Sequence, residues 1–248
     1  MSDISMTSLP ANYRAVVFGA SGGIGSAFVD HLSSDPRCGV VYAGARITLA
    51  PVPKVQPFAF DLRDETSIAM AAQMMSEGGP LDLVIVATGV LHREGLKPEK
   101  TYRSLDADTM AAAFAVNAIG PALIAKHMLP LLARDRKAIF AAISARVGSI
   151  SDNRLGGWHA YRASKAALNM LIRNFAIEQA TRNKHALCVA LHPGTVDTAL
   201  SKPFQAGVAA DKLFTPDHSA AAMLYVLDAA TAERTGTLIA WEGQTIAF

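Results

Sequence analysis

Short β-branched or apolar runs alternate along this chain with longer segments rich in Ala, Leu and Met, broken by recurring polar positions. Runs of the first kind read as buried strands and segments of the second as helices, and their alternation marks βαβ units around a parallel sheet. Seven strands are expected: "RAVVFG" ending at Gly19, "GVVYAGA" near Ala45, "PFAFD" at Asp61, "LVIVAT" near Thr88, "AIFAAIS" at Ser144, "ALCVALH" at His192 and "TLIAW" at Trp241. The helices expected between them run from Gly23 to Ser33, Thr66 to Ser76, Asp106 to about Leu132, about His159 to Gln179, and Asp217 to Ala229. The fold class is therefore α/β, a doubly wound seven-stranded parallel sheet with helices on both faces. Two loops, Gly89 to Ser104 and Ala145 to Trp158, exceed the short connections of such units. Long loops after strand ends are where α/β proteins keep their sites.

With 248 residues, 51% of them hydrophobic and 18% charged, the chain can bury a large core. One domain is expected over residues 13–248. The formal charge of +2, with Lys and Arg scattered, argues against a nucleic-acid surface. No apolar run approaches the ~20 residues of a membrane helix. "MSDISMTSLPANYR" has no basic segment followed by an apolar core, so residues 1–12 read as a disordered lead and not as a signal peptide. Cys38 and Cys188 fall in or beside apolar runs as free buried thiols, which fits a reducing cytoplasm. The seven histidines have no HExxH or Cys/His ligand spacing, so no metal site is expected.

Composition leaves the chemistry open; the turn after the first strand narrows it. "VVFGASGGIGSAF" puts Gly19, Gly22, Gly23 and Gly25 between a strand and a helix, with Ser21 and Ile24 among them. Glycines there let the backbone turn tightly and approach a pyrophosphate seated on the helix N-terminus, as in Rossmann-type dinucleotide sites. Two spacings coexist: Gly19, Gly23 and Gly25 give GxxxGxG, and Gly19, Gly22 and Gly25 give GxxGxxG. At the end of the second strand, where an NAD site carries an acid for the ribose hydroxyl, the chain has Ala45 and Arg46. A guanidinium pairs with a 2′-phosphate that an acid would repel, so NADP is favoured over NAD. The alternative is a solvated Arg46 after a strand. Asp61 and Leu62, after the third strand, are placed to meet the adenine, unless Asp61 merely precedes the helix start at Asp64 and Thr66.

"HAYRASKAAL" sets Tyr161 and Lys165 four residues apart, one turn apart on one helix face. A phenol titrates near pH ~10, and a neighbouring ammonium, together with an oxidised nicotinamide, would pull that value down towards use as an acid and base. The pair alone could also be an ordinary surface contact.

The order of these features resembles the classical short-chain dehydrogenases/reductases: the glycine turn, "DL" at 61, a strand ending in Gly89, Asn117 inside the long helix, Tyr161 and Lys165, and "HPGTVDT" at 192 to 198. The stretch "SARVGSISDNRLGGWHAYRASKAALN" is similar to the C-factor and sniffer-type carbonyl reductases. The resemblance implies that Tyr161 gives a proton to a carbonyl oxygen as hydride arrives from nicotinamide. It further implies that Lys165 holds the nicotinamide ribose, and that Asn117 keeps a helix irregularity and a water relaying protons to the lysine. It places Ala87 and Gly89 beside the cofactor, has Pro193 and Gly194 support the nicotinamide, and puts Val196 and Thr198 near its carboxamide. A homodimer or homotetramer is also expected, since the helices of Asn117 and Tyr161 carry apolar residues on more than one face.

The chain departs from that family at three points. "VATG" (Val86 to Gly89) lacks the family's polar pair, Phe18 stands where a Thr is common, and Ala145 stands where the family's serine bonds the substrate oxygen. Ser144, nearest the strand end, is the expected substitute, with Ser149 and Ser151 further along. The function expected is NADP-dependent transfer of hydride to or from a carbonyl or secondary alcohol. A dinucleotide-binding signalling protein of C-factor type is the alternative. An extended-type epimerase would need more chain after "HPG" than about fifty residues. Phe204, Leu213 and Phe214 suggest an apolar substrate, or else pack on the core.

Overall fold

A computed structural model describes residues 4–47, 49, 50, 52–93 and 95–248. Strands β1 (Tyr13–Phe18), β2 (Cys38–Ala45), β3 (Val55–Ala59), β4 (Leu83–Val86), β5 (Ala138–Ile143) and β6 (Ala186–His192) alternate with helices α1 (Gly23–Ser34), α2 (Glu65–Ser76), α3 (Ala107–Phe114), α4 (Gly120–Met128) and α5 (His159–Ala180). There follow β7 (Thr195–Val196), β8 (Leu213–Phe214), α6 (Pro216–Ala229), β9 (Leu238–Ala240) and β10 (Thr245–Ile246). The sheet order is β10-β9-β6-β5-β4-β1-β2-β3. It has eight strands where seven were expected: β10 returns antiparallel along β9, and all the other pairings in the sheet are parallel. A two-residue strand is too short to leave a hydropathy signal.

Residues alternate across the sheet and feed two cores. From β1, Ala15 and Val17 face the side of α1 and α6, with Phe28, Leu32, Met223 and Leu227. Val16 and Phe18 face the other side, with Ile68 of α2, Ile124 of α4 and Leu168 of α5. Phe18, the departure before the first glycine, stacks edge-on against Phe58 and Phe60, with ring centres 5.4 and 5.0 Å away. The described part of the lead is ordered, contrary to expectation. Met6 and Leu9 enter the core, and the buried Asp35 carboxylate accepts from Ser5 Oγ, the Met6 amide and the Tyr13 hydroxyl.

By length and composition alone, the continuous helical stretch Ala107–Leu131 is long and apolar enough to cross a membrane, a run the sequence reading did not find. In this fold it flanks the sheet between α2 and α5. Cys38 and Cys188 are free and buried, and burial pushes their thiols up to about 11 and about 12.

Strand order reverses between β1 and β4, the switch point at which open α/β sheets bind ligands beyond their strand ends.

Candidate active site

The glycine turn opens at this switch point. Gly19 has φ +92°, and a Cβ there would stand 3.0 Å from the Ala87 carbonyl carbon, which only glycine tolerates. At Gly25 a Cβ would run into the Gly19 carbonyl oxygen, and at Gly23 it would meet the Thr198 methyl at 2.9 Å. At Gly22 it would have ordinary room, 3.4 Å from the Gly19 oxygen. A Cβ is thus crowded at Gly19, Gly23 and Gly25, the GxxxGxG positions, and least crowded at Gly22. Ser21 is exposed on the turn and Ile24 packs on the core. Helix α1 begins without a side-chain cap, so its first amides remain open to an anion.

Arg46 is exposed just past β2. Asp61 pairs with Arg63 at 3.2 Å, and Arg63 first, then more weakly Arg46, holds the Asp61 carboxyl below its ordinary range. Arg63 is a second cation at this pole that the sequence reading passed over, though "DLR" offered it. Leu62 lies over Gly120, where a Cβ would come within 2.7 Å of its methyl. Helix α2 has its own cap, Asp64, which accepts from the Thr66 amide and leaves Asp61 outside the helix start.

After β4, Ala87 faces Gly19, and the Thr88 hydroxyl oxygen is buried with no hydrogen-bond partner among the described residues. A Cβ on Gly89 would lie 3.6 Å from Asn117 Oδ1 and 3.7 Å from Lys165 Nζ. Asn117 sits in a π-helical turn, Ala115–Ile119, between α3 and α4. Its amide accepts from the Val90 amide at 2.9 Å and donates to the Val90 carbonyl and Ser164 Oγ. It therefore ties the 89–104 loop to α5.

Lys165 is buried and donates to the Ile143 carbonyl at 2.7 Å, with its ammonium 5.9 Å from the centre of the Tyr161 ring. Burial pushes the Tyr161 phenol up to about 12 and the Lys165 ammonium down to about 7. Desolvation, which disfavours the charged form of each group, is the cause of both shifts. Gly148 rides on Lys165, and a Cβ there would meet the lysine's own Cβ at 2.7 Å.

Ser144 does not fit the role expected of it. Its hydroxyl is enclosed and donates to Asn169 Oδ1 at 2.7 Å, while its amide bonds the Leu191 carbonyl. The backbone stays extended through Ala145 (φ −155°, ψ 149°), so neighbouring side chains point to opposite faces and Ser144 cannot replace a hydroxyl at 145. Ser149 is also buried, and its hydroxyl bonds the Ala247 carbonyl. Asn169 was missed, although Tyr161, Lys165 and Asn169 follow one another at intervals of four along one helix face.

Beyond β6, Gly194 (φ +78°) makes the turn, and Ser219 Oγ donates to the Pro193 carbonyl at 2.7 Å. Val196 is buried in β7, and Thr198 reaches the glycine turn. The β7–β8 pair clasps the two ends of the 197–212 segment. Phe214 stacks on Trp241 with ring centres 4.4 Å apart, so it packs on the fold. Phe204 instead stands beside Trp158 and His92, at 5.0 and 5.5 Å.

Both the chain and its fold are similar to known proteins. The family model described as short chain dehydrogenase matches residues 13–209. A 1-hydroxy-2-glutathionyl-2-methyl-3-butene dehydrogenase of Rhodococcus sp. (strain AD45) is 31% identical over 224 residues, 89% of this chain and 93% of the relative. The C-signal protein of Myxococcus xanthus is 33% identical over 168 residues, 68% of this chain and 93% of its own. The crystal structure of NADPH-bound carbonyl reductase from chicken fatty liver superposes with a TM-score of 0.83 at 28% identity, covering 97% of this chain and 96% of that one.

Proposed function

The chain belongs to the short-chain dehydrogenase family and is a dinucleotide-dependent oxidoreductase, and we propose that it is an NADP-dependent carbonyl reductase or alcohol dehydrogenase with Tyr161 as proton donor and acceptor. What supports this reading is the position of Lys165. One turn from Tyr161, its ammonium lies 3.7 Å from where a Cβ on Gly89 would stand, just past the end of β4.

The residues fit a nicotinamide dinucleotide. Gly19 and Gly25 leave room for backbone alone in front of the uncapped α1, Thr88 offers a hydroxyl without a partner among the described residues, and Arg46, exposed just past β2, supplies a cation suited to a 2′-phosphate. When bound, the dinucleotide supplies or takes up the hydride. Tyr161 gives its phenolic proton to the carbonyl oxygen, so that charge does not accumulate there. Lys165 stabilises the phenolate left behind and binds the ribose. Asn117 holds the Val90 backbone and Ser164 so that the loop and α5 keep their register.

The direct test is oxidation of NADPH and of NADH by the purified protein across a panel of carbonyl compounds. A glutathionyl alcohol belongs in the oxidative arm, because the Rhodococcus relative is named for one. Tight NADPH binding without turnover of any member would favour the second reading, a dinucleotide-binding signalling protein, which the similarity to C-signal keeps in view.

Cofactor choice rests on Arg46. Arg46→Asp is expected to weaken NADPH by about 10-fold, the scale of one charge-assisted contact, and NADH by much less. Fluorescence titration of both cofactors checks this; equal weakening would mean that Arg46 does not read the phosphate.

The serine is also open to test. Ser144→Ala is expected to cost about 1 kcal/mol of stability, through the lost bond to Asn169, and to leave turnover within a few-fold. Ala145→Ser, which restores a hydroxyl on the face opposite to Ser144, is expected to raise turnover. Urea melts and steady-state kinetics of both variants measure these effects, and a large loss of turnover in Ser144→Ala would return that serine to the reaction.

A further inference from the structure

Trp158, at the mouth of α5, has the left-handed backbone geometry φ 50°, ψ 43°. For a bulky residue this conformation is costly, and it persists only where the surroundings hold it. Here two backbone amides at the helix entry are held by one residue of the 89–104 loop, Glu99. The Trp158 amide donates to the Glu99 carbonyl at 2.6 Å, and two residues on, the Ala160 amide donates to both oxygens of the Glu99 carboxylate at 3.3 and 3.2 Å. Helix α5 has no side-chain cap of its own. Glu99 is 4% exposed, and no ion pair of its carboxylate occurs among the described residues. The Glu99 side chain thus accepts from an open first-turn amide at the N-terminus of α5.

The contact bears on the candidate site. The Trp158 indole stands edge-on to the Tyr161 ring, with centres 6.3 Å apart at 74°, and also meets Phe204 at 5.0 Å. Phe204 in turn meets His92. Trp158, Phe204 and His92 come from three separate segments, the loops 145–158 and 89–104 and the stretch 197–212, so the aromatic layer around Tyr161 depends on how Trp158 is held.

We propose that Glu99 is a positioning residue, fixing Trp158 against Tyr161 through the Trp158 and Ala160 amides and so setting both the phenol and the wall that faces the substrate. Glu99 acts through the first turn of α5. The proposal rests on the reading of Tyr161 as the proton donor, and its test separates the two.

The chain has two tryptophans, so in a Trp241→Phe background the emission comes from Trp158 alone. Glu99→Ala in that background is expected to shift Trp158 emission to the red and raise its quenching by acrylamide, with the far-UV circular dichroism unchanged. Turnover should fall about 10-fold or more, the scale of a displaced reacting group, and the KM for the carbonyl should rise, while the Kd for NADPH stays within about 2-fold. Glu99→Gln keeps an oxygen for the Ala160 amide and should recover the emission and most of the turnover. Should the alanine variant not fold, Glu99→Asp withdraws the carboxylate by one methylene and is read in the same way. Unchanged emission overturns the proposal, as does a variant that melts earlier with its turnover intact. If the parent protein turns over no carbonyl, the functional reading fails, and the emission and quenching still decide whether Glu99 holds Trp158.

Discussion

Tyr161→Phe is expected to leave NADPH binding nearly intact while turnover falls by about 10² or more, the usual scale for a lost general acid. The substitution removes one oxygen and keeps the ring, so the edge-on contact with Trp158 survives and the fold loses little. Burial holds the phenol up near about 12, so Tyr161 carries its proton throughout the neutral range. In the reductive direction it is then always ready to donate. Alcohol oxidation needs the phenolate instead, so its rate should climb steadily with pH while reduction near neutrality is not limited by loss of this proton. Single-turnover measurements of hydride transfer in both directions, beside a dinucleotide titration, test both halves. Turnover equal to that of the parent protein would remove Tyr161 from the reaction.

Lys165→Met is expected to reduce both turnover and NADPH affinity, because one ammonium would serve both, and also to change the pH profile. Burial brings the ammonium down to about 7, so Lys165 is charged below that pH and neutral above it. If the charged form stabilises the phenolate left after proton donation, kcat/KM for NADPH in the reductive direction falls as pH rises through about 7. The methionine variant should show a low, flat profile across that region. A limb near pH 7 that persists in Lys165→Met would belong to another group. The same shift predicts a stability effect of definite sign. Between about 7 and the ordinary 10.5 the unfolded chain binds a proton that the folded chain does not, so this group's contribution to stability rises with pH across that window. Thermal melts of the two proteins at pH 7 and pH 9.5 should therefore differ by more at pH 7, where a buried charge opposes folding.

Hydropathy was enough to find the strands that the sheet buries on both faces, since β4 and β5 are apolar at every position and contain no turn residue. It missed β10, where Thr245 and Ile246 pair with β9 across a tight turn at Gly243, because two residues make no pattern. The lead was misjudged for a related reason. Met6 and Leu9 are isolated apolar residues in a polar stretch, and groups distant in the chain, Asp35 and Arg37 with the core beside α1, give them a place to dock.

Within the candidate site the same division holds, residue by residue. The glycine turn could be read because strand, turn and helix are contiguous in the chain, and Tyr161 and Lys165 because a helix brings every fourth residue to one face. The sequence by itself therefore determined the order of elements, the turn before α1 and the pairing of phenol with ammonium. It could not determine that Ser144 would bond Asn169, that Glu99 would hold the entry to α5, or that Lys165 would lose most of its preference for the proton. Those outcomes were decided only by the tertiary structure, because hydrogen bonds between distant segments and the removal of water from a charged group depend on what surrounds a residue in space, which local spacing does not encode.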